Sequence, residues 1–337
     1  MKKEKIAYFQ WLRVLAAFAV VLMHTAAYKW SAIPHESGGW LALTMWDSLV
    51  RWPVAVFVMI TGALFLPRKM ELRTMVKRHI PRMVISWVVW SAANALYLGG
   101  TPEQMLKQFA SGQYHLWYLH FMCGVYLMLP FVQKIVEDER LTKQLLAISI
   151  VIALWVPWLA DLAALVWPAT EHYVRIVENY LNFTFFFDHL AFLLLGHVLH
   201  RMDLSAKARR YIYIAGILGV VVTAAGTVWV SYYTDFQSSV FFDLGAPNTL
   251  CTAVAIFVFA KYNLTRLPKA VDRIARYSFG AYLCHAFLIR LLADLGFHVL
   301  TWDPLWSTPV LSVAVFAIAL ALTAVIAKIP VVGKYLT

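Results

Sequence analysis

Long apolar segments alternate with short polar segments along almost the whole chain. Ten apolar segments can be marked, most of them about 18 to 22 residues long, and about 20 apolar residues cross the hydrocarbon core of a bilayer. No internal repeat and no linker interrupts the series. The pattern predicts one all-α domain over residues 1–337, built from about ten transmembrane helices. The approximate bounds of the segments are 6–28, 47–66, 80–99, 115–134, 143–160, 182–199, 211–231, 244–262, 275–296 and 307–327.

The composition agrees with a membrane protein and excludes a water-soluble globule. Hydrophobic residues make up 61% of the chain and charged residues 14%, whereas soluble domains carry about 25% charged residues. The basic N-terminus resembles the start of a signal peptide. Its apolar run is too long for one and lacks a cleavage site, so we expect an uncleaved first transmembrane helix.

The formal net charge of +11 would suggest a nucleic-acid partner in a soluble protein. Here most of the 29 lysines and arginines fall in alternate polar segments, and such cations concentrate on the cytoplasmic side of a membrane. We therefore expect cytoplasmic termini, the lipid bilayer as the partner and no nucleic acid. The cation-rich segments are the N-terminus, 66–82, 134–143, 200–210, 261–276 and the C-terminus.

Several kinds of chemistry have no support in the sequence. Cys123, Cys251 and Cys284 lie inside apolar segments without the spacing of metal ligands, which is typical of packing residues. No Walker, HExxH or GxSxG motif occurs, so ATP-driven pumping, zinc proteolysis and hydrolase-fold chemistry are not expected. We expect no metal and no permanently bound cofactor, and the sequence predicts no oligomeric state.

Two polar residues of the first segment favour a functional site within the membrane. A charged side chain at the centre of a bilayer costs at least about 2.5–3.5 kcal/mol. Arg13 and His24 are eleven residues apart, which places them on one helix face about 16 Å apart along the axis. Ala17 and Val20 lie between them on that face. Alone, Arg13 would be a snorkelling side chain and His24 a buried hydrogen-bond donor; the pair in register favours a site.

Polar groups of other segments fall in the same predicted outer half of the membrane. The ordinary explanation is a set of interhelical ion pairs, for instance Asp188 with Arg290 or Arg51, but the whole collection favours a site. Interfacial aromatic residues such as Trp117 would stack on a sugar ring, although aromatic belts occur in all membrane proteins. The polar residues of the outer half are Asp47, Arg51, His115, His120, Asp188, His189, Arg290 and Asp294, whereas Tyr282 and His285 are expected nearer mid-membrane.

A basic stretch, residues 77–82, precedes the third segment. It is either a lipid-headgroup patch or a site for an anionic ligand. Arg78 and Arg82 would share a helix face if Pro81 lies in the first turn, where proline is tolerated. Phosphates would then contact both guanidinium groups and a helix N-terminus.

Five motifs in order along the chain resemble the acyltransferase-3 family of integral membrane acyltransferases that modify bacterial surface glycans. Many relatives carry serine where this chain has Thr61, and the chain resembles members without an appended soluble domain. The motifs are Trp11-Leu12-Arg13 with His24, the segment 53–62, Arg78 with Arg82, the segment 115–119, and the segment 274–285.

The resemblance implies a bacterial inner-membrane O-acyltransferase with acetyl-CoA, or another acyl-CoA such as succinyl-CoA, as the donor. The acceptor would be a hydroxyl group of a cell-surface or lipid-linked glycan. By position, His24 is expected to be the catalytic histidine, Arg13 the essential arginine of the first helix, and Arg78 and Arg82 the donor-binding residues.

A mechanism consistent with this spacing brings the donor from the cytoplasm. Its phosphates would contact Arg78, Arg82 and Arg13, and its pantetheine arm would follow the Ala17/Val20 face to His24. His24 would act as a general base or as a nucleophile that forms an acyl-imidazole.

Helper roles are assigned to other polar residues of the predicted outer half. Asp188 would orient the imidazole of His24, and His115, Arg51 or Arg290 would stabilise the oxyanion. Residues expected to bind the acceptor are Arg51, Trp117, Tyr282, His285 and Arg290.

Two other classes of protein compete with this hypothesis. A secondary transporter or flippase for a lipid-linked sugar or metabolite would also use intramembrane His, Asp and Arg, but no inverted repeat or pair of broken helices is seen. A scaffold of a polysaccharide-export complex would leave Arg13 and His24 without a task.

Overall fold

The computed structural model describes residues 6–174, 190–330 and 332–337, and this part of the chain is helical without a β-strand. Its helices are α1 (Ala7–Ala27), α2 (Gly38–Ser48), α3 (Pro53–Phe65), α4 (Ile80–Leu98), α5 (Pro102–Ser111), α6 (Trp117–Ile135), α7 (Glu139–Ile148), α8 (Val156–Val166), α9 (Leu190–Arg201), α10 (Ala206–Thr234), α11 (Pro247–Asn263), α12 (Lys269–Asp294), α13 (Pro304–Ile326) and α14 (Val332–Leu336).

Seven helical stretches of the described residues are long and apolar enough to cross a membrane. They coincide with seven of the ten predicted segments, which confirms an all-helical membrane protein. Of the other three segments, 80–99 and 275–296 coincide with α4 and α12, whose polar residues lower their hydropathy. The segment 182–199 lies outside the described residues up to position 189, and its remainder belongs to the shorter α9. The count of ten and the cytoplasmic termini stay predictions. The seven stretches are Ala7–Ala32, Gly38–Phe65, Tyr114–Ile135, Glu139–Val166, Ala206–Thr234, Val240–Asn263 and Pro304–Ile326.

The second predicted segment, 47–66, is interrupted in a way that matters for the site. The chain leaves helical geometry after α2 and resumes it at Pro53, the first residue of α3. Proline is favoured there because its fixed φ suits a helix and the first N–H has no helical partner. Arg51 therefore lies at a break between two helices.

The predicted third segment is preceded by a π-helical turn, Met75–His79. Pro81 lies in the first turn of α4, as the sequence analysis assumed. The helix is therefore continuous from residue 72 to residue 98, but its wider turn carries Lys77, Arg78 and His79 and ends directly before α4, which carries Arg82.

Helix α1 lies at the centre of the molecule and packs against α3, α12 and α13. Leu12, Ala16 and Val21 have no exposed surface, and a helix that is apolar on all sides is typical of such a position. The polar side chains of α1 are thus enclosed by other helices.

Helices α3 and α9 make an especially close contact at two glycines. A methyl group at Gly62 would collide with the carbonyl oxygen of Leu193, and one at Gly196 would collide with that of Met59. The two backbones touch at these points, so only glycine fits. This contact fixes α3, which contributes to both cavities of the candidate site.

Candidate active site

A cavity of about 210 Å³ surrounds His24, and we call it the outer cavity. It is lined by side chains of α1, α3 and α12, by residues near the start of α6, and by the turn before α11. Its volume admits a small group such as a hydroxyl-bearing part of a substrate. The lining residues are Val20, Met23, His24, Arg51, Val54, Phe57, His115, Trp117, Tyr118, Phe242, Leu244 and Tyr282.

The imidazole of His24 is held by a second imidazole. His24 Nδ1 lies 2.7 Å from His285 Nε2, and the two ring planes differ by only 11°. On its other side His285 Nδ1 lies 2.5 Å from the carbonyl oxygen of Tyr282. Both ring nitrogens of His285 are therefore engaged, and His24 keeps one nitrogen outside this chain of hydrogen bonds.

A third histidine, His115, lies beside this pair. It occupies the short 3₁₀ turn Tyr114–Leu116 before α6, and its ring centroid lies 4.7 Å from that of His285. Nε2 of His115 lies 3.2 Å from the carbonyl oxygen of Leu283. In the other direction, the hydroxyl of Tyr282 donates to the backbone carbonyl oxygen of His115 at 2.5 Å. These reciprocal bonds join the turn to α12.

The hydrogen bonds of His115 also define what it offers to the cavity. A carbonyl oxygen only accepts, so Nε2 of His115 carries the proton. Its Nδ1 is buried and has no hydrogen-bond partner among the described residues. In the neutral ring that atom is an acceptor and Nε2 is already bonded to Leu283, so His115 has no free N–H to donate to an oxyanion.

Arg51 brings a positive charge to the outer cavity. Its Nη2 donates to Asp47 Oδ2 at 2.7 Å, and its guanidinium group lies over the ring of Phe242 at 4.0 Å. The Asp47 side chain is 1% exposed. Arg51 also lines the cavity, so the cavity wall carries a cation held by a buried carboxylate.

A larger cavity of about 490 Å³, which we call the inner cavity, lies beside the outer one. Its charged lining comes from the beginnings of α1, α4 and α12, which adjoin the segments predicted to be cytoplasmic. The lining residues are Gln10, Arg13, Phe57, Ile60, Thr61, Leu64, Phe65, His79, Arg82, Met83, Tyr118, Met122, Tyr126, Asp272, Ala275, Arg276, Ser278, Phe279, Tyr282 and Thr337.

Two cations of the inner cavity, Arg13 and Arg82, have neutral hydrogen-bond partners. Arg13 donates to Gln10 Oε1 at 3.2 Å. Arg82 donates to the carbonyl oxygen of Thr337 and lies over the ring of Phe279 at 4.3 Å. Burial, and then the nearby guanidinium groups of Arg78 and Arg82, lower the pKa of His79. The cavity is thus suited to an anion.

Three aromatic side chains line both cavities and form a shared wall. They are Phe57, Tyr118 and Tyr282, with ring centroids 6.2 Å apart for Phe57 and Tyr118 and 5.8 Å apart for the two tyrosines. Arg13 lines the inner cavity and His24 the outer one. The two cavities therefore adjoin along these three side chains.

Of the predicted site residues, seven line one of the two cavities. Arg78, which belongs to the π-helical turn, is exposed and does not line the inner cavity. Arg290 is exposed and pairs with Asp294 at 3.3 Å, outside both cavities. His285 lies behind His24, and Asp188 lies outside the described residues. The seven are Arg13, His24, Arg51, Arg82, His115, Trp117 and Tyr282.

Several lining residues were not singled out from the sequence. Arg276 was counted as a topology-determining cation and His79 as part of a basic stretch; Tyr118 occurred only within a quoted motif, and Tyr126 was not considered. Arg276, His79 and Tyr118 lie within or between the residues of the quoted motifs, and Tyr126 lies two turns beyond one of them. Ala17, which was expected to line the donor path, is buried and lines neither cavity.

The fold and the two cavities define a multi-pass membrane protein with a cationic cavity beside a histidine-containing one. A family model described as an acyltransferase domain matches residues 6–328. The chain therefore belongs to the acyltransferase-3 family, which confirms the resemblance, and its general class is membrane acyltransferase. No curated protein and no solved structure matches the chain significantly.

Proposed function

We propose that the protein is an O-acyltransferase of the bacterial cytoplasmic membrane. It moves an acyl group, most simply acetyl, from cytoplasmic acyl-CoA to a hydroxyl group of a cell-surface or lipid-linked glycan. The observation that carries this proposal is the pair of adjacent cavities, one lined by arginines and one by His24, with a shared aromatic wall.

The inner cavity receives the donor. Coenzyme A carries phosphate groups, and guanidinium groups bind phosphate by charge-assisted hydrogen bonds. Arg13, Arg82 and Arg276 line this cavity. The uncharged pantetheine arm passes between the side chains of the shared wall and presents the thioester in the outer cavity.

The acceptor hydroxyl enters the outer cavity. In the direct mechanism His24 removes its proton while the hydroxyl oxygen attacks the thioester carbon. The carbon–sulfur bond then breaks, and the proton passes from His24 to the leaving sulfur. Arg51 stabilises the negative charge of the tetrahedral intermediate.

In the second variant, His24 attacks the thioester first and forms an acyl-imidazole that the hydroxyl then cleaves. The two variants can be distinguished in an experiment without an acceptor. Acyl-labelled coenzyme A would label the protein only in the second, and the label would be absent from His24→Ala.

The test gives purified protein in vesicles acyl-labelled coenzyme A and candidate acceptor glycans, and mass spectrometry detects acylated product. We expect transfer by the wild type and a decrease of about 10²- to 10⁴-fold in His24→Ala, since that is the usual contribution of an acid–base group. Donor binding should be retained. Transfer equal to wild type in His24→Ala would exclude a catalytic role for His24. If the wild type never releases label from the thioester, the proposed acyltransferase activity is excluded.

His120→Ala is the matched control. His120 is exposed on α6, its ring lies 5.1 Å from that of Trp87, and it lines neither cavity. Its substitution should leave transfer at the wild-type rate.

A further inference from the structure

His285 has no exposed surface and does not line either cavity. The sequence analysis placed it with the acceptor-binding residues, but both its ring nitrogens are engaged within the protein. Its only ring contacts among the described residues are with His24, His115 and Tyr282, none of which carries a negative charge. A buried imidazole without an anionic neighbour is expected to be neutral.

The hydrogen bonds determine where each proton lies. The Tyr282 carbonyl oxygen can only accept, so the proton of His285 is on Nδ1. A neutral imidazole has one donor and one acceptor, so Nε2 of His285 accepts from His24. Nδ1 of His24 therefore carries its proton, and the lone pair of His24 is on Nε2.

The ring geometry agrees with this assignment. The planes of His24 and His285 are within 11° of parallel and their centroids are 5.0 Å apart. With 2.7 Å between the two nitrogens, this spacing is that of two rings joined edge to edge. The N–H of His24 then points along the lone pair of His285, as a strong hydrogen bond requires.

We propose that His285 is a positioning residue that holds His24 as its Nδ1–H tautomer and directs the Nε2 lone pair to the reacting group. This inference rests on the proposed function of His24. When His24 takes up a proton, its Nδ1–H bond to His285 becomes charge-assisted and stabilises the imidazolium. The arrangement serves the general-base and the nucleophilic variant alike, since both need a free lone pair on one defined nitrogen.

The support of His285 is itself rigid. Tyr282 and Leu283 are tied to the turn before α6 by the two reciprocal bonds to His115. These bonds fix the backbone of α12 next to the Tyr282 carbonyl oxygen, which accepts the hydrogen bond from His285. The orientation of His24 is thus determined by α12 and not by α1 alone.

Two substitutions test the positioning role of His285. His285→Phe keeps an aromatic ring but removes the acceptor, and His285→Gln keeps an acceptor oxygen and a donor nitrogen. We expect kcat to fall by about 100-fold or more in His285→Phe, because a histidine in the wrong tautomer is a poor base. His285→Gln should recover at least part of that loss, and KM for the donor should not change, because the inner cavity is intact.

A direct measurement separates this inference from the proposed function. Nitrogen-15 spectra of histidine-labelled protein, with His24→Ala used for assignment, report which nitrogen of His24 carries the proton. We expect the Nδ1–H form in the wild type and in His285→Gln, and conversion to the Nε2–H form in His285→Phe.

Protonation of His24 at Nε2 in the wild type would overturn the proposal, as would an unchanged kcat in a folded His285→Phe. If the wild type shows the expected tautomer but transfers no acyl group, the proposed function is wrong, although His285 still positions His24. If transfer occurs with the other tautomer, the positioning role of His285 is wrong and the proposed function is retained.

Discussion

The inner and outer cavities share a wall but hold their polar groups in different ways. In the inner cavity, Arg13 has one hydrogen bond of 3.2 Å to Gln10, and Arg82 rests on an aromatic ring and a backbone carbonyl. In the outer cavity, the imidazole of His24 is fixed by a 2.7 Å bond to His285, and Arg51 is fixed by a 2.7 Å bond to Asp47.

This difference corresponds to two tasks. Binding a phosphate needs positive charge, and charge acts over several ångströms without a unique geometry. Proton transfer and oxyanion stabilisation need atoms placed to within a fraction of an ångström. Substitutions in the outer cavity should therefore act on kcat, and those in the inner cavity on KM for the donor.

After His24 itself, the largest effect is expected from the buried ion pair of the outer cavity. Replacing Arg51 alone would leave Asp47 buried without its partner and destabilise the fold, so the double variant Asp47→Asn/Arg51→Gln is used. We expect kcat to fall by about 10²- to 10³-fold, the usual effect of removing one oxyanion donor. KM for the donor should stay close to wild type in steady-state assays.

The chain offers a matched control for that pair. Arg290 and Asp294 form an ion pair with the same four-residue spacing, but both are about half exposed and outside the cavities. Exposed pairs contribute about 0–1 kcal/mol, so Arg290→Gln/Asp294→Asn should retain activity. Equal losses in the two double variants would show that the buried pair acts on stability and not on chemistry.

A smaller effect, on donor binding, is expected from the inner cavity. Arg82→Gln should raise KM for acyl-CoA by about 10- to 100-fold, since a hydrogen bond to a charged group contributes about 1.5–3 kcal/mol. The kcat value should change much less. Initial rates at varied donor concentration give both constants.

Arg78→Gln is the comparison for Arg82→Gln. Arg78 is four residues away, but it is exposed and outside the cavity lining, so its effect on KM should be much smaller. Equal effects of the two variants would indicate that the phosphates bind along the surface of the basic stretch and not in the cavity.

The helical membrane fold could be predicted because each span is a local property of about 20 residues. The break between α2 and α3 and the π-helical turn at Met75–His79 could not. Pro53 begins a new helix, whereas Pro81 lies in the first turn of a continuing one. The two prolines look alike in the sequence, and tertiary packing decides between them.

The site shows the same division between local and distant information. Arg13 and His24 could be placed in register because they share α1. The contact between His24 and His285 joins residues 261 positions apart in the chain, and no periodicity encodes it. The partners of Arg51 and Arg290 are four residues away, although the sequence analysis looked for partners on other helices.

The smallest expected effect is a pH dependence of donor binding through His79. The ring of His79 packs against Tyr126 and Phe65, with centroids 5.1 Å and 5.3 Å away. Its pKa is lowered by burial and by Arg78 and Arg82, so it is neutral at pH 7. An anionic donor favours the protonated form, and donor affinity should therefore rise as the pH falls below about 6.5.

Acidification has the opposite effect on the stability of the protein without donor. A histidine with a lowered pKa decreases the free energy of unfolding as the pH falls. Calorimetric titration of donor in two buffers at about pH 6 should detect proton uptake by the wild type and less by His79→Gln. The donor phosphate titrates in both proteins, so their difference isolates His79. An identical proton uptake by the wild type and His79→Gln would show that the donor charge is too far from His79 to act on it. The phosphates would then bind outside this end of the inner cavity.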